Sequence, residues 1–208
     1  MNSDYARTTI SGDWPVYRSA YQAFLTEQAE INKLSQLIGK PALFKKTFED
    51  NRPEGFTSML RPTRQNFDDF IHLVDKMLSE NINQEFFRGA VPFEHVVTQD
   101  DGSKEIQRRG TLQLLEEWLK IKYRAQGGIE VSGEVLEPFK KIRKLRQKPA
   151  HALRENDYDR SYPKQQDDIL GDACTALTKL RLILWSHPLA KEKYTPPNWL
   201  DGDKIVFY

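Results

Sequence analysis

This chain of 208 residues is short of the residue types that most directly mark a site. One cysteine, Cys174, excludes an intrachain disulfide and any cysteine-based metal cluster. It lies between Ala173 and Thr175 on an expected core helix, where it reads as a packed small residue rather than a nucleophile. The histidines, His72, His95, His151 and His187, stand too far apart for metal-ligand spacing, so no metal and no cofactor is expected. Gly127-Gly128 is not followed by the Gly-Lys-Ser/Thr of a phosphate loop, and no serine has a nucleophile-elbow context. Net charge is lacking too. With 31 basic residues against 30 acidic ones, the chain cannot coat nucleic acid through overall charge, which leaves only local patches. No apolar run approaches the ~20 residues of a membrane span, and Met1 to Thr9 lacks the apolar core of a secretory signal. The expectation is a soluble cytoplasmic protein with no membrane partner.

What is present is helical periodicity. Asp13 is positioned to cap a helix opening at Trp14-Pro15, and Tyr17, Tyr21, Phe24, Ile31, Leu34 and Ile38 carry its stripe until Gly39 and Pro41 stop it. Residues 40–63 read as a connector with a short helical piece around Ala42–Glu49. Phe67, Phe70, Ile71, Val74 and Leu78 stripe a helix from about Thr63 to Asn81. Residues 82–110 hold apolar residues around the turn signal Gln99–Ser103, and a hairpin and an ordered loop both fit. Thr111 reads as the cap of a helix reaching about Arg124, and Ser132 starts the next one. Pro163 opens a last long helix striped by Ile169, Ala173, Leu177, Leu180 and Leu184, which ends near His187-Pro188. Lys204–Tyr208 has the composition of a short strand. The expected fold class is all-α, an antiparallel helical bundle, with 1–63 as a long helix and connector packed on a helical domain at 64–208.

One stretch breaks its own pattern. Val135, Phe139 and Ile142 form an apolar face at i, i+4 and i+7, and the next position on that row is Arg146. A cation on a core row needs a partner or a purpose. Pro149 then interrupts the helix and His151 follows. On a straight helix Arg146 and His151 would diverge by about 140°, and a proline kink could turn both toward one cleft. Lys140, Lys141, Arg143, Lys144, Arg146 and Lys148 make six cations within nine residues, with Arg154 beyond, a concentration suited to phosphate contacts. Cations in a last helical turn also follow from the helix dipole alone. His72, flanking a helix stripe with Asp75 three residues on, reads as a satisfied surface or core-edge histidine.

Arg146-Gln147-Lys148-Pro149-Ala150-His151 resembles the R-x(4–6)-H motif of the HEPN superfamily, with Gln147 where the family most often has Asn. Arg88 with His95 and Arg181 with His187 also satisfy the bare pattern. Only Arg146 lies in the helix before the final long one, where the family carries its motif, and the likeness extends over roughly 64–187. The resemblance implies a metal-independent endoribonuclease in which the RNA's 2′-hydroxyl attacks the adjacent phosphate. His151 would be general acid or base, Arg146 would stabilise phosphoryl charge, and Gln147 would orient either side chain or the phosphate. Lys140, Arg143, Lys144, Lys148 and Arg154 would contact RNA. It further implies a homodimer that brings two motifs together, a regulatory partner protein, and a role in prokaryotic defence against phage or as a toxin. Leu153 stands where one toxin subgroup has Tyr, which sets this chain apart from that subgroup. The rival readings are a non-catalytic HEPN-like RNA-binding or scaffolding module, and a helical partner-binding protein using Trp14, Tyr21 and Trp199.

Overall fold

The computed structural model describes residues 17–49, 51–99, 102–123, 131–147, 155–200 and 204–206. These are mostly helical, and no helix among them is long and apolar enough to cross a membrane. The first helix, α1 (Ala20–Leu37), starts later than its stripe predicts. Arg18–Ser19 (β1) pairs in parallel with Ile205–Val206 (β4), and the Ser19 hydroxyl accepts from Gln22 N at 3.3 Å as the cap. A backbone committed to a strand pairing cannot also continue a helix. Asp13 and Trp14 lie outside the described residues.

The far end of α1 follows the expectation. Lys40 N–H reaches Ser35 O at 2.9 Å and Gly39 N–H reaches Gln36 O at 3.0 Å, with Gly39 at φ +74°. These are the paired bonds by which a left-handed glycine ends a helix. No helix follows at Ala42–Glu49. Asn32 brackets Phe44, accepting from its N–H and donating to its C=O, both at 2.8 Å. Phe44 also bridges Ile82. Those backbone groups are therefore spent outside any helix.

The second helix, α2 (Arg64–Asp75), is capped by the Thr63 hydroxyl and runs straight into a π-helical turn, Lys76–Glu80. A 3-10 turn, Gln84–Phe87, precedes the segment left open by sequence, which is an antiparallel hairpin of β2 (Glu94–Thr98) and β3 (Lys104–Arg108). Gly102, at φ +81°, supplies a conformation that other residues rarely adopt. Strands thus accompany the helices, and an all-helical description is too narrow. Next comes α3 (Thr111–Lys122). Thr111 is its first residue rather than its cap, and its hydroxyl donates to Ser79 O at 2.7 Å, tying α3 to the π-turn.

Helix α4 (Val131–Gln147) carries the cationic stretch and contacts α2, α3 and α5 (Tyr162–Trp185). Its Val135, Phe139 and Ile142 are buried as the stripe requires. Helix α5 makes its broadest contact with α1. His187 does not close α5. It begins α6 (Pro188–Lys191), its Nδ1 accepting from Leu189 N at 3.2 Å. Tyr21, weighed as a partner contact, is buried edge-on against Phe56 at 5.0 Å. Trp199 is partly buried beneath Arg18.

Between α1 and α5 sits a buried ion pair. Arg181 Nε donates to Glu27 Oε2 at 2.8 Å, with the two side chains 0% and 1% exposed. Thr178 Oγ1 donates to Glu27 Oε1 at 2.7 Å. Arg181 follows Leu177 by one turn, so Arg146 is not alone in extending an apolar row. Cys174 is buried nearby, its Sγ 3.4 Å from Ala20 O. Burial, and then the Glu27 charge, push its thiol far above the ordinary range. Because the thiolate is the nucleophile, Cys174 is expected to resist an aromatic disulfide reagent in the native chain and react fully in denaturant.

Candidate functional site

Arg146 occupies the last turn of α4, and the purpose its position called for begins with a partner. Its Nη1 donates to Asp75 Oδ2 at 2.6 Å and to Glu80 Oε1. Asp75 is fully buried and Arg146 is 29% exposed, so the guanidinium reaches from the surface to a core carboxylate. Both contacts use Nη1. Among the described residues, Nε and Nη2 have no hydrogen-bond partner, so one edge of the fork is uncommitted.

The π-turn makes this cluster geometrically reasonable. Residues five apart diverge by about 140° on an α-helix. With i to i+5 hydrogen bonds the turn widens, and the fifth residue lies much closer to the face of the first. Asp75 and Glu80 are five apart, across the turn Lys76–Glu80, and both reach one guanidinium. Thr111 and Lys45 hold this turn from outside, donating to Ser79 O at 2.7 Å and Glu80 O at 2.8 Å.

The charges are mutually adjusted. The hydrogen bonds that Arg146 donates to Asp75 and then to Glu80 hold its guanidinium even more firmly protonated than usual. The Arg146 hydrogen bond holds the Glu80 carboxyl below the usual glutamate range, against a smaller opposing effect of burial. Lys76 and His72 add to the positive field there, so His72 belongs to this cluster's electrostatics. A carboxyl depressed in the folded chain contributes stability above its unfolded pKa and loses it as pH falls through its folded one. Glu80→Gln is therefore expected to lower the melting temperature at neutral pH. The gap should close in acid, below about pH 4 where free carboxylates protonate. A gap that stays constant down to pH 2 would contradict this pairing.

The other cations of α4 divide by face. Lys140 Nζ donates to Glu116 on α3 at 2.8 Å, and Lys141 Nζ to Asp172 on α5 at 2.7 Å. These two link helices rather than stand free. Arg143 and Lys144 have no ion pair among the described residues, and Lys144 and Gln147 are exposed. Lys140, Lys144 and Gln147 share one helix face by spacing. Lys148, Pro149, His151 and Arg154 lie outside the described residues. The chain beyond is anchored at Asp157, which accepts from Arg64 Nε at 2.7 Å and Nη2 at 2.9 Å at the start of α2.

Of the competing pairs, Arg88 is bound to Glu85 at 2.7 Å on the surface, while Arg181 is a core residue. Asp75 and Glu80 were missed from sequence. Asp75 had a signal: it lies one turn after Ile71 on the α2 stripe, a carboxylate on a core row as Arg146 is a cation on one. Glu80 had none, because its approach depends on the π-turn. Among the described residues no group of three His, Cys, Asp or Glu side chains could hold a metal ion. No family model, no curated protein and no solved structure matches this chain.

Proposed function

We propose that this chain is a metal-independent endoribonuclease of the HEPN type, its helices forming an antiparallel bundle and its active site completed by a second copy. The observation that carries the reading is the fixed Arg146 guanidinium, held by Asp75 and Glu80 through Nη1 at the cationic end of α4, with Nε and Nη2 unpaired among the described residues. Five residues on in the chain stands His151, an imidazole that titrates near neutrality. In the reaction, the 2′-hydroxyl gives its proton to a base and its oxygen bonds to phosphorus. The P–O5′ bond breaks as an acid protonates the leaving oxygen, which leaves a 2′,3′-cyclic phosphate. One histidine cannot easily hold both roles at once. Two copies related by a two-fold axis supply two, and an isologous contact through the motif region brings them together. Arg146, which offers a planar fork that lysine lacks, stabilises charge on the phosphoryl oxygens. Gln147 orients the phosphate, while Arg143, Lys144, Lys148 and Arg154 hold the flanking RNA. Lys140 joins them only on release from Glu116. A cytoplasmic role in anti-phage defence or as a toxin, under control of a regulatory protein, follows the same reading.

A second reading is favoured by one observation. Asp75 and Glu80 together outweigh the single charge of Arg146, as suits a structural arginine in a non-catalytic RNA-binding or scaffolding module. Incubating the purified chain with single-stranded RNA in EDTA separates the two. The nuclease reading expects fragments with wild type and none with His151→Ala. Intact RNA with both, or equal cleavage by both, contradicts it.

A further inference from the structure

A pocket of about 440 Å³ lies where the end of α1, the end of α3 and the start of α6 meet, and it shares no residue with the Arg146 cluster. Its size falls among small-molecule sites. Lys40 lines it from the glycine-closed end of α1, and Lys122 lines it from the last turn of α3. Among the described residues neither lysine has an ion pair, and no carboxylate lines the pocket. Lys40 Nζ donates one hydrogen to Phe86 O at 2.9 Å and stands 5.1 Å over that ring, leaving two hydrogens uncommitted. Burial, and then the Lys122 charge, hold Lys40 below the usual lysine range. Two cations that line one pocket repel each other, and an anion between them would relieve that repulsion.

Of the remaining polar groups, the Ser186 hydroxyl is already spent on Ile183 O at 2.6 Å. Trp118 is 1% exposed and lines the pocket, and its indole N–H has no acceptor. That N–H is itself enclosed, so Trp118 forms a wall of the pocket, and its signal reports what fills it. His187 Nδ1 already accepts from Leu189 N at 3.2 Å, so the neutral ring carries its hydrogen on Nε2 and donates too. Tyr123, whose hydroxyl burial pushes up to about 12, stays a neutral phenol. The walls between these groups are apolar, from Ile38, Pro188 and the Tyr123 ring.

We infer that this pocket binds a small-molecule oxyanion, a phosphate or carboxylate carried on an organic body, through Lys40, Lys122 and His187, with the Trp118 ring in its wall. The donor set reads the anion, and the volume and apolar walls take the body. This site is separate from RNA cleavage and stands whether or not that reading does.

The test follows indole N–H resonances of the full-length ¹⁵N-labelled chain at constant ionic strength. Phenyl phosphate, benzoate and inorganic phosphate are titrated in separate arms. The expected result is a saturable shift of one indole signal with phenyl phosphate or benzoate, and weaker binding of inorganic phosphate. Lys122 is exposed, so Lys122→Gln should fold as wild type yet weaken binding by about tenfold, while Lys122→Arg retains it. No saturable shift with any probe up to about 10 mM, or equal affinity in Lys122→Gln, overturns the inference. Inorganic phosphate binding as tightly as phenyl phosphate overturns the organic body.

Discussion

His151→Ala is expected to lower RNA cleavage in EDTA by about 10²–10⁴-fold, the usual contribution of a positioned general acid or base. Its unfolding midpoint should match wild type. The parallel variant Arg146→Ala separates two roles. It should abolish cleavage as well, but it also strips the buried Asp75 of its cation. Breaking such a pair by removing one partner costs about 3–5 kcal/mol, although the 29% exposure of Arg146 puts this one at the low end. Arg146→Ala is therefore expected to melt earlier than wild type. Arg146→Lys should keep much of the stability and little of the activity, because an ammonium can answer Asp75 but cannot present a planar fork. Mixing adds a check on the two-copy site. If each active dimer needs two histidines, equal amounts of wild type and His151→Ala, after exchange, should retain about a quarter of the activity, since random pairing restores that share of intact dimers. A single-copy site would retain half.

Arg181→Met should produce the largest loss of stability in the molecule, about 3–5 kcal/mol. Glu27 and Arg181 are 1% and 0% exposed, so removing the guanidinium takes the countercharge from a carboxylate buried between α1 and α5, and the Thr178 hydroxyl that still donates to it carries no charge. At about 2–4 °C per kcal/mol for a chain of this size, the midpoint should fall by roughly 6–20 °C. The double variant Glu27→Leu with Arg181→Met should recover most of that loss. Replacing a buried pair by apolar groups of similar volume is often neutral or stabilising. Thermal unfolding of the wild type and these variants checks both. A double variant as unstable as Arg181→Met would show that the pair does more than satisfy itself.

The helices were legible where one stripe faces one core. Phe67, Phe70, Ile71 and Val74 on α2, Leu78 in the π-turn that continues it, and Ile169, Ala173, Leu177, Leu180 and Leu184 on α5 are buried as their spacing demands. What escaped depends on a partner far along the chain. Arg18–Ser19 becomes a strand because Ile205–Val206 lies beside it, and a two-residue strand has no periodicity to read. Ala42–Glu49 fails to form a helix because Asn32 and Ile82 claim the backbone of Phe44. In the candidate site, Arg146 was legible as a cation on an apolar row. Its answer, Asp75, was visible by the same logic, as were Glu27 and Arg181, each a charge within a stripe. Which lysines stand free was not legible, since Lys140 and Lys141 read like Lys144 until Glu116 and Asp172 are brought beside them.

The most direct test of the central claim is end-group analysis of RNA incubated with the wild-type chain in EDTA. An otherwise identical oligonucleotide carrying a single 2′-deoxy nucleotide at the cut site is run beside it. The account predicts fragments ending in 2′,3′-cyclic phosphate from the RNA, and no cleavage at the deoxy position, because the attacking hydroxyl is gone. Intact RNA, or cleavage that persists at the deoxy position, would contradict it.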